Sequence, residues 1–242
     1  MYDRFTVSSV LNLVENGLTD CDVARKTGVP RSTIQQWRVG RVPQRDARLC
    51  DLCAGRGPQV PEPDYAYLLG LYLGDGCISR HPRTFRMRIF LDAAYPQIVE
   101  ECATSLRSVG PRTVWIGPHG RGAVEVAMYW NHWPCLFPQH GPGRKHLRPI
   151  VLVPWQCEIV ARHPRSLIRG LIHSDGCRVV ANDRGVMSVR YHFSNLSEDI
   201  KRIYCDGLDA IGIPWTRPSN RDIAVYRKVA TTLLDEFVGL KR

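Results

Sequence analysis

The sequence predicts an α+β protein: a small all-helical N-terminal module, then a duplicated domain whose halves each run helix, two strands, helix, two strands, helix. Three observations carry this reading. Leu68-Leu-Gly-Leu-Tyr-Leu-Gly-Asp-Gly-Cys77 aligns with Ile168-Arg-Gly-Leu-Ile-His-Ser-Asp-Gly-Cys177 at an offset of 100 residues; Gly70/Gly170, Leu71/Leu171, Asp75/Asp175, Gly76/Gly176 and Cys77/Cys177 are identical. The residues after each copy also correspond, with Ile98, Leu106 and Gly110 matching Ile200, Leu208 and Gly212. Residues 1–48, by contrast, are polar and helix-patterned, and a Gly- and Pro-rich stretch, 49–64, reads as a linker. A repeat this long indicates a duplicated domain, not a solenoid.

Within the N-terminal module, Val7–Glu15 reads as a first helix. Thr19–Thr27 reads as a second, with Thr19 as cap and Asp22 at the capping-box position. A tight turn at Gly28-Val29-Pro30 leads into a third helix, Arg31–Trp37. Its Ile34 and Trp37, three apart, face the core, which leaves Arg31, Ser32, Thr33, Gln35, Gln36 and Arg38 pointing outward. This pattern resembles a helix-turn-helix of the resolvase or homeodomain-like kind, whose third helix reads the major groove. Arg and Gln pair bidentately with guanine and adenine edges. Arg41, Arg45 and Arg48 suit the phosphate backbone beyond it. The alternative is a trihelical protein-interaction module.

The duplicated domain spans 65–242, in halves 65–150 and 151–242. After each motif copy, Arg86–Phe90 and Ser188–Phe193 alternate like strands. Tyr95–Val109 and Ser197–Ile211 are helical, each followed by a Gly. Further strands are predicted at Thr113–Ile116 with Val124–Trp130, and at Ile213–Arg217 with Ile223–Arg227. Closing helices are predicted at Asn131–Phe137 and Lys228–Val238.

Charge narrows the partner. Thirty-three Lys and Arg against twenty-three Asp and Glu give +10, a surplus that favours a polyanion such as nucleic acid. Of these cations 28 are Arg, whose fork suits phosphates and guanine edges, although a GC-rich genome also produces such a ratio. The longest apolar stretch, Tyr65–Leu73, is far short of a membrane span. No basic-then-apolar leader opens the chain, so a cytoplasmic, nucleoid-associated protein is expected.

The two motif segments carry the chemistry. Gly70/Gly74 and Gly170/Ser174 are small residues four apart on one helix face, which lets two backbones approach closely. The two helices are therefore expected to pack on each other about a pseudo-two-fold axis. Each ends in Asp-Gly, which puts a carboxylate at the negative end of a helix dipole and brings two carboxylates together. A divalent cation would offset both penalties, and Mg²⁺ suits a few carboxylates plus waters and phosphate oxygens. For a lone helix, Asp-Gly is simply a cap and turn; two copies in matching halves argue for more.

These segments resemble the LAGLIDADG motif of the homing endonucleases, over about residues 65–242. The resemblance implies an αββαββα fold in each half, with two curved antiparallel sheets forming a basic saddle over DNA. It implies Asp75 and Asp175 as catalytic, Mg²⁺-binding acids, with the backbone carbonyls of Gly74 and Ser174 near the metal. Leu73 and His173 stand where the consensus can carry a further acid, so neither copy matches it fully. Family members often place a Lys near each metal site, in the segment after the last helix of a half. Lys145 and Lys241 occupy those places, with Arg144, His140 and His146 beside the first; mere contact with the DNA backbone or solvent is the alternative. Arg83, Arg86, Arg88, Arg190 and His192 lie in strand segments suited to groove contact.

Nine cysteines without an export signal fit free or metal-bound thiols. Cys50 and Cys53 stand at zinc-knuckle spacing, but a structural Zn²⁺ needs four ligands, which Cys135 with His132 or His140 would have to supply. Cys77 and Cys177 are expected to be buried, small and apolar. The reading that results is a monomeric, Mg²⁺-dependent, site-specific double-strand DNA endonuclease with an added DNA-reading module. The alternatives are a non-cleaving transcriptional regulator on the same scaffold and an RNA-splicing maturase.

Overall fold

Short capped helices build the N-terminal unit. α1 (Arg4–Glu15), α2 (Asp20–Thr27) and α3 (Arg31–Arg38) bury Val10, Val23, Val29, Ile34 and Trp37 as one small core. Thr19 caps α2, accepting from Asp22 N at 3.2 Å. Gly28 ends it in the left-handed conformation, φ 70°, with its N–H on Ala24 O at 2.9 Å. Pro30 then sets up α3. This computed structural model describes residues 4–41, 59–239 and 241. The chain divides into two compact units, Met1–Cys50 and Asp51–Arg242.

The second unit is built on α4 (Glu62–Asp75), which begins inside the stretch expected as linker. Pro61-Glu62-Pro63-Asp64 suits a helix start: the prolines preset φ and the acids face the positive dipole end. β1 (Gly76–His81) and β2 (Thr84–Asp92) follow, then α5 (Pro96–Val109), β3 (Trp115–Gly120), β4 (Ala123–Tyr129) and α6 (Trp133–Leu136). The second half runs α7 (Pro154–Arg162), α8 (Pro164–Asp175), β5 (Gly176–Asp183), β6 (Val186–Ser194), α9 (Glu198–Ala210), β7 (Asp222–Val225) and α10 (Lys228–Val238). The sheets are antiparallel, ordered β1-β2-β4-β3 and β5-β6-β7.

Two features depart from the expected plan. α7 is an extra helix ahead of the second motif helix. The strand expected at Ile213–Arg217 shrinks to a single bridge, Thr216 to Ala224. Pro214 removes a backbone donor inside that stretch and Pro218 another just after it, so no full ladder forms.

Every residue of α4 from Tyr65 to Leu73 is buried. A helix apolar all round belongs inside a core, and here its partner is α8. The two run side by side in one register, Gly70 beside Gly170 and Gly74 beside Ser174. A Cβ on Gly70 would lie 2.5 Å from Leu167 O and 2.7 Å from Leu171 N, and one on Gly170 would strike Tyr67 O. The close approach thus runs along the stripe of small residues, backbone on backbone.

Candidate active site

Because α4 and α8 run in the same direction and in register, their C-termini lie together. Asp75 and Asp175 end them, and each next residue is a glycine that starts a strand. The carboxylate of Asp175 reaches across to the other helix: a Cβ on Gly74 would sit 3.0 Å from its Oδ2. Burial pushes Asp75 up to about 6, and the Asp175 carboxylate adds to that; Lys145 and Lys241 oppose it. Asp175 is raised too, by burial, against a 2.6 Å hydrogen bond donated by Asn195 Nδ2.

The lysines close the helix ends. Lys145, in a 3-10 turn (Lys145–Leu147), donates to the carbonyls of Tyr72, Leu73 (3.0 Å) and Gly74 (2.7 Å). Lys241 donates to Ile172 O (3.4 Å), Ser174 O (3.3 Å) and Gly176 O (2.8 Å). Each ammonium satisfies carbonyls that a helix C-terminus leaves orphaned. Burial lowers both lysines, Lys145 to about 8, while the carboxylates hold them up. Each lysine acts on both carboxylates. The carboxylate acting most strongly on Lys145 is Asp175, and on Lys241 it is Asp75.

Two cavities repeat that crossing. One, of about 290 Å³, is lined by Asp75 from the first half and by His173, Ser174, Cys177 and Lys241 from the second. The other, of about 440 Å³, is lined by Gly74, Cys77, Arg144, Lys145 and His146 from the first half and Asp175 from the second. Cys77 and Cys177 are therefore not core residues. Cys77 is half-buried, Cys177 is exposed, and each lines a cavity as the second residue of its strand. His140 sits apart from this group, edge-on to Phe85.

His173 is held at both ring nitrogens. Tyr67 Oη lies 2.9 Å from its Nδ1, and its Nε2 lies 2.9 Å from Val238 O, a carbonyl that requires an N–H there. The ring thus ties α4, α8 and α10 together, and burial lowers its pKa to about 4. Leu73 is fully buried.

Around the two carboxylates the donors are hard oxygens: Asp75, Asp175 and the Gly74 and Ser174 carbonyls. No group of three His, Cys, Asp or Glu suited to a metal occurs among the described residues. Mg²⁺ takes one or two carboxylates and completes its shell with water and phosphate, so it asks for no third such side chain. Cys50 and Cys53 lie outside the described residues.

The sheets settle which strand face carries which side chain. Met87, Ile89 and Leu91 enter the core, so Arg86, Arg88 and Phe90 face away from the helices. Tyr191 and Phe193 likewise leave Arg190 and His192 outward. Arg86 lies between Trp115 and Tyr129, 5.5 and 5.3 Å from their ring centres, and pairs with Glu125 at 2.7 Å. Arg190 packs over Tyr226 at 5.5 Å, and Arg83 is exposed in the β1–β2 turn. Asp92, which lines the first cavity, Asn195 and Arg221, which line the second, and these outward aromatics carried no sequence signal. In α3, Arg31, Ser32, Gln35, Gln36 and Arg38 are exposed and Thr33 is half-buried; Arg38 lies 3.5 Å from Asp20.

Among solved structures, the N-terminal LAGLIDADG domain of DUF199/WhiA matches with a TM-score of 0.50 and 16% identity, over 76% of this chain and 88% of that one. The fold is the LAGLIDADG fold. The homing endonuclease I-WcaI bound to its DNA recognition sequence scores 0.48 at 12% identity, over 84% of this chain and 92% of that one. The meganuclease I-AabMI bound to uncleaved DNA scores 0.45 at 13%, over 72% and 82%. No family model and no curated protein matches the sequence. In LAGLIDADG terms, α4 and α8 are the two motif helices and Asp75 and Asp175 their terminal acids. No helix among the described residues is long and apolar enough to cross a membrane.

Proposed function

We propose that this chain is a site-specific double-stranded DNA endonuclease that acts as a monomer and requires a divalent cation, Mg²⁺ in the first instance. The observation that carries the reading is the crossed pair of centres: two half-buried terminal aspartates from duplicated helices, each sharing a cavity with the lysine of the opposite half. Two centres about a pseudo-two-fold axis suit the two strands of a duplex. Asp75 and Asp175, with the Gly74 and Ser174 carbonyls, would hold the cation, which supplies an activated water and a Lewis acid for phosphodiester hydrolysis.

The other parts are the chain's own. Lys145 and Lys241 balance the half-buried carboxylates and lie where charge grows on a phosphate. Arg83, Arg86, Arg88, Arg190, His192 and Arg144 contact the duplex from the sheets and the flanking turn. The N-terminal unit serves as a helix-turn-helix reader, with the exposed face of α3, Arg31 to Arg38, in the major groove. The DNA-bound neighbours share only the fold, so the reading stands on the residues.

One observation favours a second reading, a DNA-binding regulator that does not cut. The Gly74 and Ser174 carbonyls already accept from the chain's own ammonium groups, so the site carries its own countercharge. Incubating the pure protein with a randomised duplex library, with and without Mg²⁺, separates the two. Metal-dependent ends support the nuclease; enriched, uncut duplex supports the regulator.

A further inference from the structure

The outward face of the first sheet carries rings as well as cations. Strand register puts Ser79, Arg86 and Tyr129 in one row and Cys77, Arg88, Ala127 and Trp115 in the next. Trp115 and Tyr129 are 47% and 45% exposed. The Trp115 indole leans along its own strand: a Cβ on Gly117 would strike the ring at Cζ2 and Cη2, so only a glycine leaves it room. Arg86 stands between the two rings, and its charge is already matched by Glu125, a carboxylate buried on the same face. His81 sets its edge against Tyr129, ring centres 5.2 Å apart. Among the described residues the second half has no equivalent. Ala224 takes the place of Glu125 in the register, and Trp215 packs against the core with its indole N–H donating to Asp209 Oδ1 at 2.8 Å.

We propose that this face binds the unpaired bases of single-stranded DNA, with Trp115 and Tyr129 as stacking platforms. Exposed rings held in place by a guanidinium offer π-faces on which any base can stack. Arg86 and Glu125 cancel each other's charge, which suits the flat, apolar body of a base and not a phosphate. The phosphates have other partners: Arg83 in the β1–β2 turn and Arg121 in the β3–β4 turn are exposed at opposite ends of the sheet, on a chain with a surplus of ten positive charges. In an intact duplex the base faces are covered by neighbouring bases, so only an unpaired strand can use the rings. The choice of DNA over RNA rests on the nuclease reading, which assigns this same face to DNA; the stacking platform itself does not.

Competition binding by the full chain, without added metal, uses three strands of about twelve nucleotides: oligo-dU, an abasic deoxy strand of the same length, and the RNA counterpart of the first. The native chain should bind oligo-dU at least about tenfold more tightly than the abasic strand, and more tightly than the RNA. The preference over the abasic strand should persist as rising salt weakens all three, because stacking is not screened. Trp115→Ala should shrink that preference at least about fivefold, Tyr129→Ala should do the same from the neighbouring strand, and Trp115→Phe should restore most of it. Circular dichroism checks the fold of each variant. Equal binding of the oligo-dU and abasic strands, a preference unchanged in either folded alanine variant, or tighter binding of the RNA would overturn the proposal. A protein that cuts duplex yet treats the oligo-dU and abasic strands alike would lose this platform alone. One that prefers oligo-dU and never cuts would lose the nuclease reading alone.

Discussion

Above pH 6, Asp75 carries a charge that folding by itself opposes. Its carboxyl titrates at about 6 in the folded chain against an ordinary 3.8. The folded state therefore binds more protons between these values, and stability falls as pH rises through that window. Asp75→Asn removes the penalty, so the variant should be more stable than the native chain at pH 8 by on the order of 1–3 kcal/mol. The gain should vanish near pH 4; thermal unfolding at the two pH values measures it, and a less stable variant at pH 8 would refute this account of the carboxylate. Site residues differed in how far the sequence revealed them. Asp75 and Asp175 were visible because they recur in a motif. Asp92, Asn195 and Arg221 were not, because strand ends and loops bring them in from outside any motif and the copies differ there. Cys77 departs from its expected burial for a related reason: a strand starting at Gly76 turns the next side chain toward the cavity, and no hydropathy pattern records that.

At the scale of elements, the contact between α4 and α8 depends on atoms that cannot move aside. A methyl on Gly170 would meet Tyr67 O, a backbone atom of the partner helix. Gly170→Ala should therefore cost about 2–4 kcal/mol, as overpacking in a tight core does. Gly207, in α9, is the control: its added Cβ would first meet Ile168 Cγ1 at 3.3 Å, a side chain able to shift. Gly207→Ala should fall within about 1 kcal/mol of the native chain, helix propensity offsetting the crowding. Denaturant unfolding of both variants decides it; similar losses would mean that the helix pair is not the tight point. Most elements could be read from the sequence, because caps and apolar periodicity mark them: α2 from Thr19 and Gly28, α10 at its expected bounds. The reduced fourth strand of the second half was not, since Thr216 and its neighbours alternate suitably and only the flanking prolines argue against a ladder.

Across the whole molecule, the proposal joins an excess of ten positive charges to two sheets with arginines on their outward faces. Binding that neutralises several phosphates releases counterions, so affinity for duplex should fall at least about hundredfold between 50 and 200 mM salt. A flat profile would deny the sheets their assigned role. The general architecture was legible because duplication repeats its own signal, whereas the crossed lysines and the shared cavities emerge only when the two halves meet. The most direct test uses a duplex selected by the protein from the randomised library, presented with Mg²⁺ to the native chain and to Asp75→Asn and Asp175→Asn. The native protein should cut it, each variant should lose cutting at least hundredfold, and all three should bind it within about threefold in Kd. Retained cutting in both variants, or a duplex that the native protein binds and never cuts, would contradict the account.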